Sequence, residues 1–310
     1  MSSPSPSYFS SPARSFTPSS PISIPASQQF RLLTREGSLA AQANSQFNIT
    51  PSNTQSTCGT TSNIQANLIV LPSRYTEDFK AFCARNPVPC SLLDITSPGI
   101  FSSRLAAYTD LRTDIPAYNI YVNGILQESG KEDVKAEWTN DHMGFLLGCS
   151  YSFEAALARQ CLAPKHMLLR QSVPMFISNI PLNPAGVFSR GTYVVSMRWY
   201  RLRDIPKVQE ITRKYSHQHG EPIAWGWDGA EKIGVIDKVR SALVDFGEWV
   251  DGEENEIPVF WASGVTSQLV IMACGLEGVV LSHKPGYVYQ CEQIHPEGRA
   301  AWAEWPNTYT

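Results

Sequence analysis

The sequence predicts an α/β protein, a layered fold with a mixed sheet and two subdomains. Three observations carry this. Short β-branched runs alternate with helical periodicities through the second half, as expected where helices pack on sheets. The 310 residues are enough to bury a large core. Hydrophobic residues make up 43% and charged residues 17%, the balance of a globular chain slightly poor in charge.

The elements follow in order. Residues 1–29 hold eleven Ser, six Pro and the single charge Arg14, a composition that buries little and predicts disorder. Arg14, Arg31 and Arg35 in an acid-free, Ser-rich stretch partly resemble a mitochondrial transit peptide, while the prolines oppose an amphipathic helix. The compartment therefore stays open between mitochondrial matrix and cytosol. An uncharged polar loop over 42–63 leads to a strand, Gln65–Leu71, stopped by Pro72. A helix over Tyr75–Ala84 aligns Phe79, Phe82 and Cys83 and ends before Asn86-Pro87. Ala117–Val122 alternates as a strand and turns at Asn123-Gly124, a hairpin signal. Phe145–Leu162 contains a helix. Thr192–Met197 is a strand that ends at Arg198, and Asp204–Tyr215 is a helix capped by Asp204 with Pro206 in its first turn. Ile257–Trp261 is a strand, Ser267–Cys274 an apolar helix and Gly278–Leu281 a last strand. Residues 64–291 form the folded region, between the N-terminal 1–63 and a tail, 292–310.

Charge and cysteine content narrow the function. With 25 basic and 28 acidic residues the net charge is -3, so no basic excess exists to neutralise phosphates, and nucleic acid is not expected as a partner. The longest apolar runs, Met143–Gly148 and Leu269–Gly275, are far short of the ~20 residues of a membrane span, so no membrane is expected. The seven cysteines are irregularly spaced without a C-x-x-C pair, which predicts free thiols in a reducing compartment and no zinc site. Neither a P-loop nor a dinucleotide fingerprint occurs, so no cofactor is expected.

Five polar stretches carry candidate chemistry. Gly148–Glu154 places Cys149, Ser150 and Ser152 before a helical pattern, where hydroxyls and backbone amides hold an anion, or one serine merely caps the helix. Ser196-Met197-Arg198 sets an arginine at a strand end, able to fork onto a carboxylate or to pack as a surface residue. His217-x-His219 offers an acid/base, with Asp228 nearby in sequence, better than it offers a metal pair, since no third ligand stands at a telling distance. The fourth is Trp261–Thr266, a strand feeding a glycine turn, in which Thr266 is a candidate donor. His283-Lys284 after the last strand is the fifth. Small donors, histidines and arginines on several loops suit a small anionic substrate.

Several motifs follow one another along the chain: Gln65–Pro72, Phe82–Cys90, Leu111–Pro116, Phe145–Glu154 (FLLGCSYSFE), Val173–Met175, Val194–Arg198, His219–Pro222, Pro258–Thr266 (PVFWASGVT) and His283–Gly286. Their order resembles the D-glutamate cyclase family, a family of bacterial and eukaryotic hydro-lyases. The resemblance spans about 64–290. It implies an α/β fold of two subdomains and a reaction in which D-glutamate closes to 5-oxo-D-proline with loss of water. Such chemistry needs carboxylate clamps, for which Arg198 and Arg112 are the candidates, and donors, for which Ser150, Ser152, Ser196 and Thr266 are. It also needs a proton carrier, His219 first and His283 second; Cys149 is a candidate nucleophile unless it is a buried structural thiol. Ser263 stands where many relatives carry Cys, so a thiol there is not essential. Ala224–Asp228, Tyr287 and Val288 also depart from the common pattern. These departures motivate two other readings: dehydration of a different hydroxy acid in a biosynthetic pathway, or carboxylate binding without catalysis. Oligomeric state is not legible.

Overall fold

The computed structural model describes residues 63–294 apart from Ala107. The Ser/Pro-rich stretch, almost all of the polar loop and most of the C-terminal tail therefore lie outside the described residues. The chain runs β1 (Asn63–Pro72), α1 (Thr76–Arg85), β2 (Leu92–Ile95), β3 (Tyr118–Val122), β4 (Ile125–Lys131) and β5 (His142–Gly148). It continues with α2 (Glu154–Arg159), α3 (Lys165–Leu169), β6 (Met175–Pro181), β7 (Thr192–Arg201), α4 (Ile205–Arg213), β8 (Ala224–Trp225), α5 (Gly226–Lys232) and α6 (Ile236–Arg240). β9 (Glu256–Ala262), α7 (Val265–Cys274), β10 (Val279–His283) and β11 (Tyr289–Ile294) complete it.

Two sheets result. The larger has the order β2-β5-β1-β10-β3-β4, with β11 also on β1; the smaller has the order β6-β7-β9-β8. Helices and strands mix as expected, but neither sheet is mixed: every described strand pairing is antiparallel. The smaller sheet is inserted between β5 and β10 of the larger one. Among the described residues no helix is long and apolar enough to cross a membrane.

The predicted first strand, first helix and Asn123-Gly124 hairpin all form; Asn123 and Gly124 take φ of 52° and 77°, the left-handed pair that a two-residue turn demands. The helix expected within Phe145–Leu162 forms from Glu154, after Phe145–Gly148 has closed β5, which pairs with β1 from Ala66↔Gly148 to Pro72↔His142. Two expectations are corrected. β7 does not end at Arg198: Trp199, Tyr200 and Arg201 continue opposite Pro258, Ile257 and Glu256. Asp204 makes no side-chain cap, because a short 3-10 turn over Leu202–Asp204 carries the chain directly into α4.

Alternation distributes the core. Ile69, Leu71, Phe145 and Val280 face Phe79 and Phe82 of α1 and Val270 and Ile271 of α7. Leu68, Val70, Leu146 and Leu281 face the opposite way, under Leu105, Leu111, Val134 and Trp138. On the smaller sheet, Tyr200, Val259 and Trp261 pack with Leu157, Val208 and Ile211, while Val195, Met197 and Phe260 pack with Ala230 and Val239. Each fully buried Phe contributes about 1.5–3 kcal/mol. α7 is buried on nearly every side and ties the sheets together. Thr266 Oγ1 accepts from the Val194 amide on β7 at 3.0 Å, and Gln268 Nε2 donates to the His283 carbonyl on β10 at 3.0 Å.

β1 has one edge wholly on β5 and its other edge divided. β11 pairs near Gln65 and Ala66, and β10 pairs at Ile69 and Val70. His283, 1% exposed, fills the break: its Nδ1 lies 3.1 Å from both the amide nitrogen and the carbonyl oxygen of Leu68. Burial lowers its pKa from 6.5 to about 4, although the Leu68 carbonyl favours the proton. A second close approach occurs at the end of β5, where a Cβ on Gly148 would come within 1.8 Å of the His217 carbonyl.

Two outcomes follow from these contacts. Gly148→Ala should destabilise the protein by roughly 1–3 kcal/mol in urea unfolding, since backbone must move; an unchanged midpoint would contradict the contact. Between pH 6.5 and about 4 the unfolded chain binds a proton at His283 that the folded chain refuses. Stability should therefore fall as pH drops through that window, by about 3 kcal/mol for this residue. A His283→Gln variant should show a shallower fall by about one proton, and an identical slope would show that His283 does not titrate this way.

Candidate active site

The seam between the two sheets holds a buried polar cluster built on Arg198. β7 directs Ser196, Arg198 and Tyr200 to the face covered by α2 and α4. Arg198 is 2% exposed, and its guanidinium carbon lies 5.0 Å from the Phe153 ring and 5.1 Å from the Trp261 ring. A charge so placed needs a partner. Glu154, the first residue of α2, supplies it: Nε and Nη2 donate to its Oε1 at 3.0 and 2.5 Å. His166 of α3, 3% exposed, holds the same carboxylate from another side, with Nε2 at 3.0 Å from Oε1 and 3.1 Å from Oε2. Burial alone pushes the Glu154 carboxyl up, but His166 and Arg198 outweigh it and hold the group below the usual carboxylate range. Glu154 is thus ionised and can only accept, so His166 Nε2 carries hydrogen.

The remaining arms of Arg198 reach two hydroxyls. Nη1 donates to Ser196 Oγ at 3.0 Å and Nη2 to Ser150 Oγ at 3.1 Å. Both serines are buried, and each oxygen accepts a charged hydrogen bond while its own O–H is left to donate. With four bonds made, one Nη1 hydrogen of the guanidinium is left over.

His219 joins this cluster from the loop after α4. It is 2% exposed and sits at φ 77°, a left-handed conformation that few side chains adopt. Its Nδ1 lies 2.7 Å from the Val88 carbonyl, which can only accept, so Nδ1 carries the hydrogen and Nε2 the lone pair. Nε2 makes no hydrogen bond, although the Gly148 carbonyl favours a proton on the ring. Burial, helped by the charge of Arg198, lowers the ring from 6.5 to about 4, and at neutral pH it is an uncharged base. The loop is held by the Gly148 approach, and the Gly148 carbonyl also accepts from Asn67 Nδ2 at 2.6 Å.

The other sequence candidates are placed differently. Cys149 adjoins the cluster, but burial pushes its thiol up to about 12, and a protonated thiol is a poor nucleophile at neutral pH. Ser152 is spent on β1, accepting from the Gln65 amide at 2.9 Å and donating to its carbonyl at 3.3 Å. Thr266 is likewise spent on the Val194 amide and carbonyl. His283 sits in the break along β1. Arg112 forks onto Asp110 at 2.9 and 2.7 Å and stacks on Phe101, which packs against Trp138 on the outer face of the larger sheet. Asp228 is exposed on α5, which covers the face of the smaller sheet opposite Arg198. His217 is exposed while His219 is buried, so the two do not face one ligand. Among the described residues no group of three potential ligands could hold a metal ion.

Two members of the cluster carry no signal in the motifs. Glu154 lies inside FLLGCSYSFE, four residues after Ser150 and on the same side of the turn, but nothing local marks its partner. His166 follows Pro164 on a five-residue helix and meets Glu154 only through tertiary packing.

Comparison with known proteins adds the lineage. The profile described as D-glutamate cyclase matches residues 143–292, which run from β5 through the smaller sheet to β11. A Schizosaccharomyces pombe protein named "putative hydro-lyase" is 50% identical over 236 residues, 75% of this chain and 77% of that protein. Proteins of the same name from Rubrobacter xylanophilus and Geobacillus kaustophilus are 42% and 41% identical, covering 75% and 73% of this chain and 87% and 83% of theirs. With half its residues shared with a relative over three quarters of its length, the chain belongs to the D-glutamate cyclase family.

Proposed function

We propose that the protein is a lyase that removes water from a small carboxylic acid, and that its substrate is D-glutamate, which closes to 5-oxo-D-proline. The observation that carries this is the pair Ser150 and Ser196, two hydroxyls polarised by one buried guanidinium, in a cluster shared with the neutral base His219. The family profile and the hydro-lyase names of the relatives support the reaction class.

The chemistry fits these groups. The α-amine nitrogen bonds to the γ-carboxyl carbon and one C–O bond breaks. The substrate ammonium gives up two protons, the departing oxygen takes two, and water leaves with no net exchange of protons with solvent. His219 Nε2 accepts from the ammonium and returns the proton to the leaving oxygen. The serine O–H groups donate onto the carboxylate oxygens and to the charge that builds in the tetrahedral intermediate, where preorganised donors act most strongly. Arg198 supports both hydroxyls, and Glu154 with His166 keeps Arg198 from moving to the substrate as a free cation.

Incubation with D-glutamate should yield 5-oxo-D-proline by mass and chiral chromatography. D-glutamate that raises the melting temperature without giving product would leave a carboxylate-binding protein instead. His219→Asn keeps a residue that tolerates positive φ and deletes the base, so turnover should fall at least ~10²-fold with the fold intact. Near-normal turnover would remove His219 from the reaction. Because the working form is the neutral ring, kcat/KM should stay level from pH 7 downward and decline only near 4. A decline centred near 6.5 would mean that a solvent-exposed histidine does the work.

A further inference from the structure

Two buried side chains flank the serine pair with polar hydrogens that meet no acceptor: Trp261 Nε1, beside Arg198, and Gln218 Nε2, on a turn packed against Ser150–Phe153. Trp261 is 0% exposed and is the cross-strand partner of Ser196, on the face that carries Arg198. Its ring lies 5.1 Å from the guanidinium carbon. Gln218 is 1% exposed, precedes His219, and packs so closely on Gly148 that a Cβ there would come within 3.1 Å of its Cα. A buried donor without an acceptor is costly, and two flanking the same pair of serines call for a common explanation. Both are neutral and both can donate at these atoms, so the missing partner is an acceptor. The charge of Arg198 is already matched by Glu154. The acceptor is therefore best carried by a group whose countercharge travels with it, as an α-carboxylate does beside its own ammonium.

We infer that Gln218 and Trp261 form a subsite for the α-carboxylate of an amino dicarboxylic acid, with Ser150 and Ser196 on the carboxyl group that reacts. This rests on the serine pair holding the reacting carboxyl, as proposed above. It makes Gln218 and Trp261 the residues that distinguish a dicarboxylate from a substrate with one carboxyl group.

The probes are D-glutamate and 4-aminobutanoate, which has the same amine-to-carboxyl spacing and lacks the α-carboxylate. Calorimetry on the His219→Asn protein removes turnover from the measurement. D-glutamate should bind at least ~10-fold more tightly than 4-aminobutanoate, the worth of one charged hydrogen bond. Adding Trp261→Phe, which keeps an aromatic ring and deletes the N–H, or Gln218→Leu should weaken D-glutamate ~10-fold and leave 4-aminobutanoate unchanged. Equal affinity for the two probes overturns the subsite without any further variant. So does a Trp261→Phe and Gln218→Leu pair that leaves D-glutamate binding unaltered, in which case the donors meet buried water. Preference for D-glutamate in a protein that gives no 5-oxoproline keeps the subsite and discards the reaction. Binding of neither probe discards both.

Discussion

The ion pair between Arg198 and Glu154 governs the arrangement of this protein's polar interior. Arg198 lies against two aromatic rings in the core of the smaller sheet, where an unpaired cation is untenable. Glu154 neutralises it, and His166 takes up the carboxylate's remaining capacity. Removing one partner of such a pair generally costs about 3–5 kcal/mol, because the other charge is left buried. Replacing the whole set by hydrocarbon is often neutral for stability. The arrangement therefore makes most sense as a device for orientation: it fixes the guanidinium, and the guanidinium fixes Ser150 and Ser196.

The topology explains why these residues meet. Glu154 and Ser150 follow β5 of the larger sheet, Ser196 and Arg198 lie on β7 of the smaller one, His166 comes from the connection between β5 and β6, and His219 from that between β7 and β8. Because the smaller sheet is inserted between β5 and β10, the chain crosses the seam on entry and again through α7. Three backbone constraints hold the seam: the Gly148 approach to His217, the Asn67 bond to the Gly148 carbonyl, and the Thr266 bond to β7. None of them touches the proposed substrate, yet each sets the position of a group that does.

Much of the secondary structure was legible because it is local. Alternation marked β3, a β-branched run marked the start of β7, Asn123-Gly124 marked the hairpin, and the apolar run after Gly264 marked α7. Legibility ended where local pattern and tertiary setting disagree. The start of the helix within Phe145–Leu162 stayed open because FLLG is apolar on both sides, inside the larger sheet, and an apolar run of that length looks the same in a buried helix. β7 passes Arg198 because β9 pairs with it to Glu256, which no nearby residue announces. Among the candidate residues, Ser150, Ser196, Arg198 and His219 come together, whereas Ser152 and Thr266 look identical in type and are spent on backbone groups. Asp228 is near His219 in sequence and on the other side of a sheet in space. Glu154 and His166 escaped notice because their meaning lies in a contact between two short helices.

The dependence of the serine hydroxyls on the ion pair is tested most directly by a double-mutant cycle in kcat/KM between Glu154→Gln and Ser196→Ala. If Glu154 acts by keeping Arg198 on the serines, the two losses are non-additive, and the double variant is scarcely worse than the poorer single one. Losses that simply multiply would show that Glu154 and Ser196 act independently, and the ion pair would then be an ordinary feature of the core.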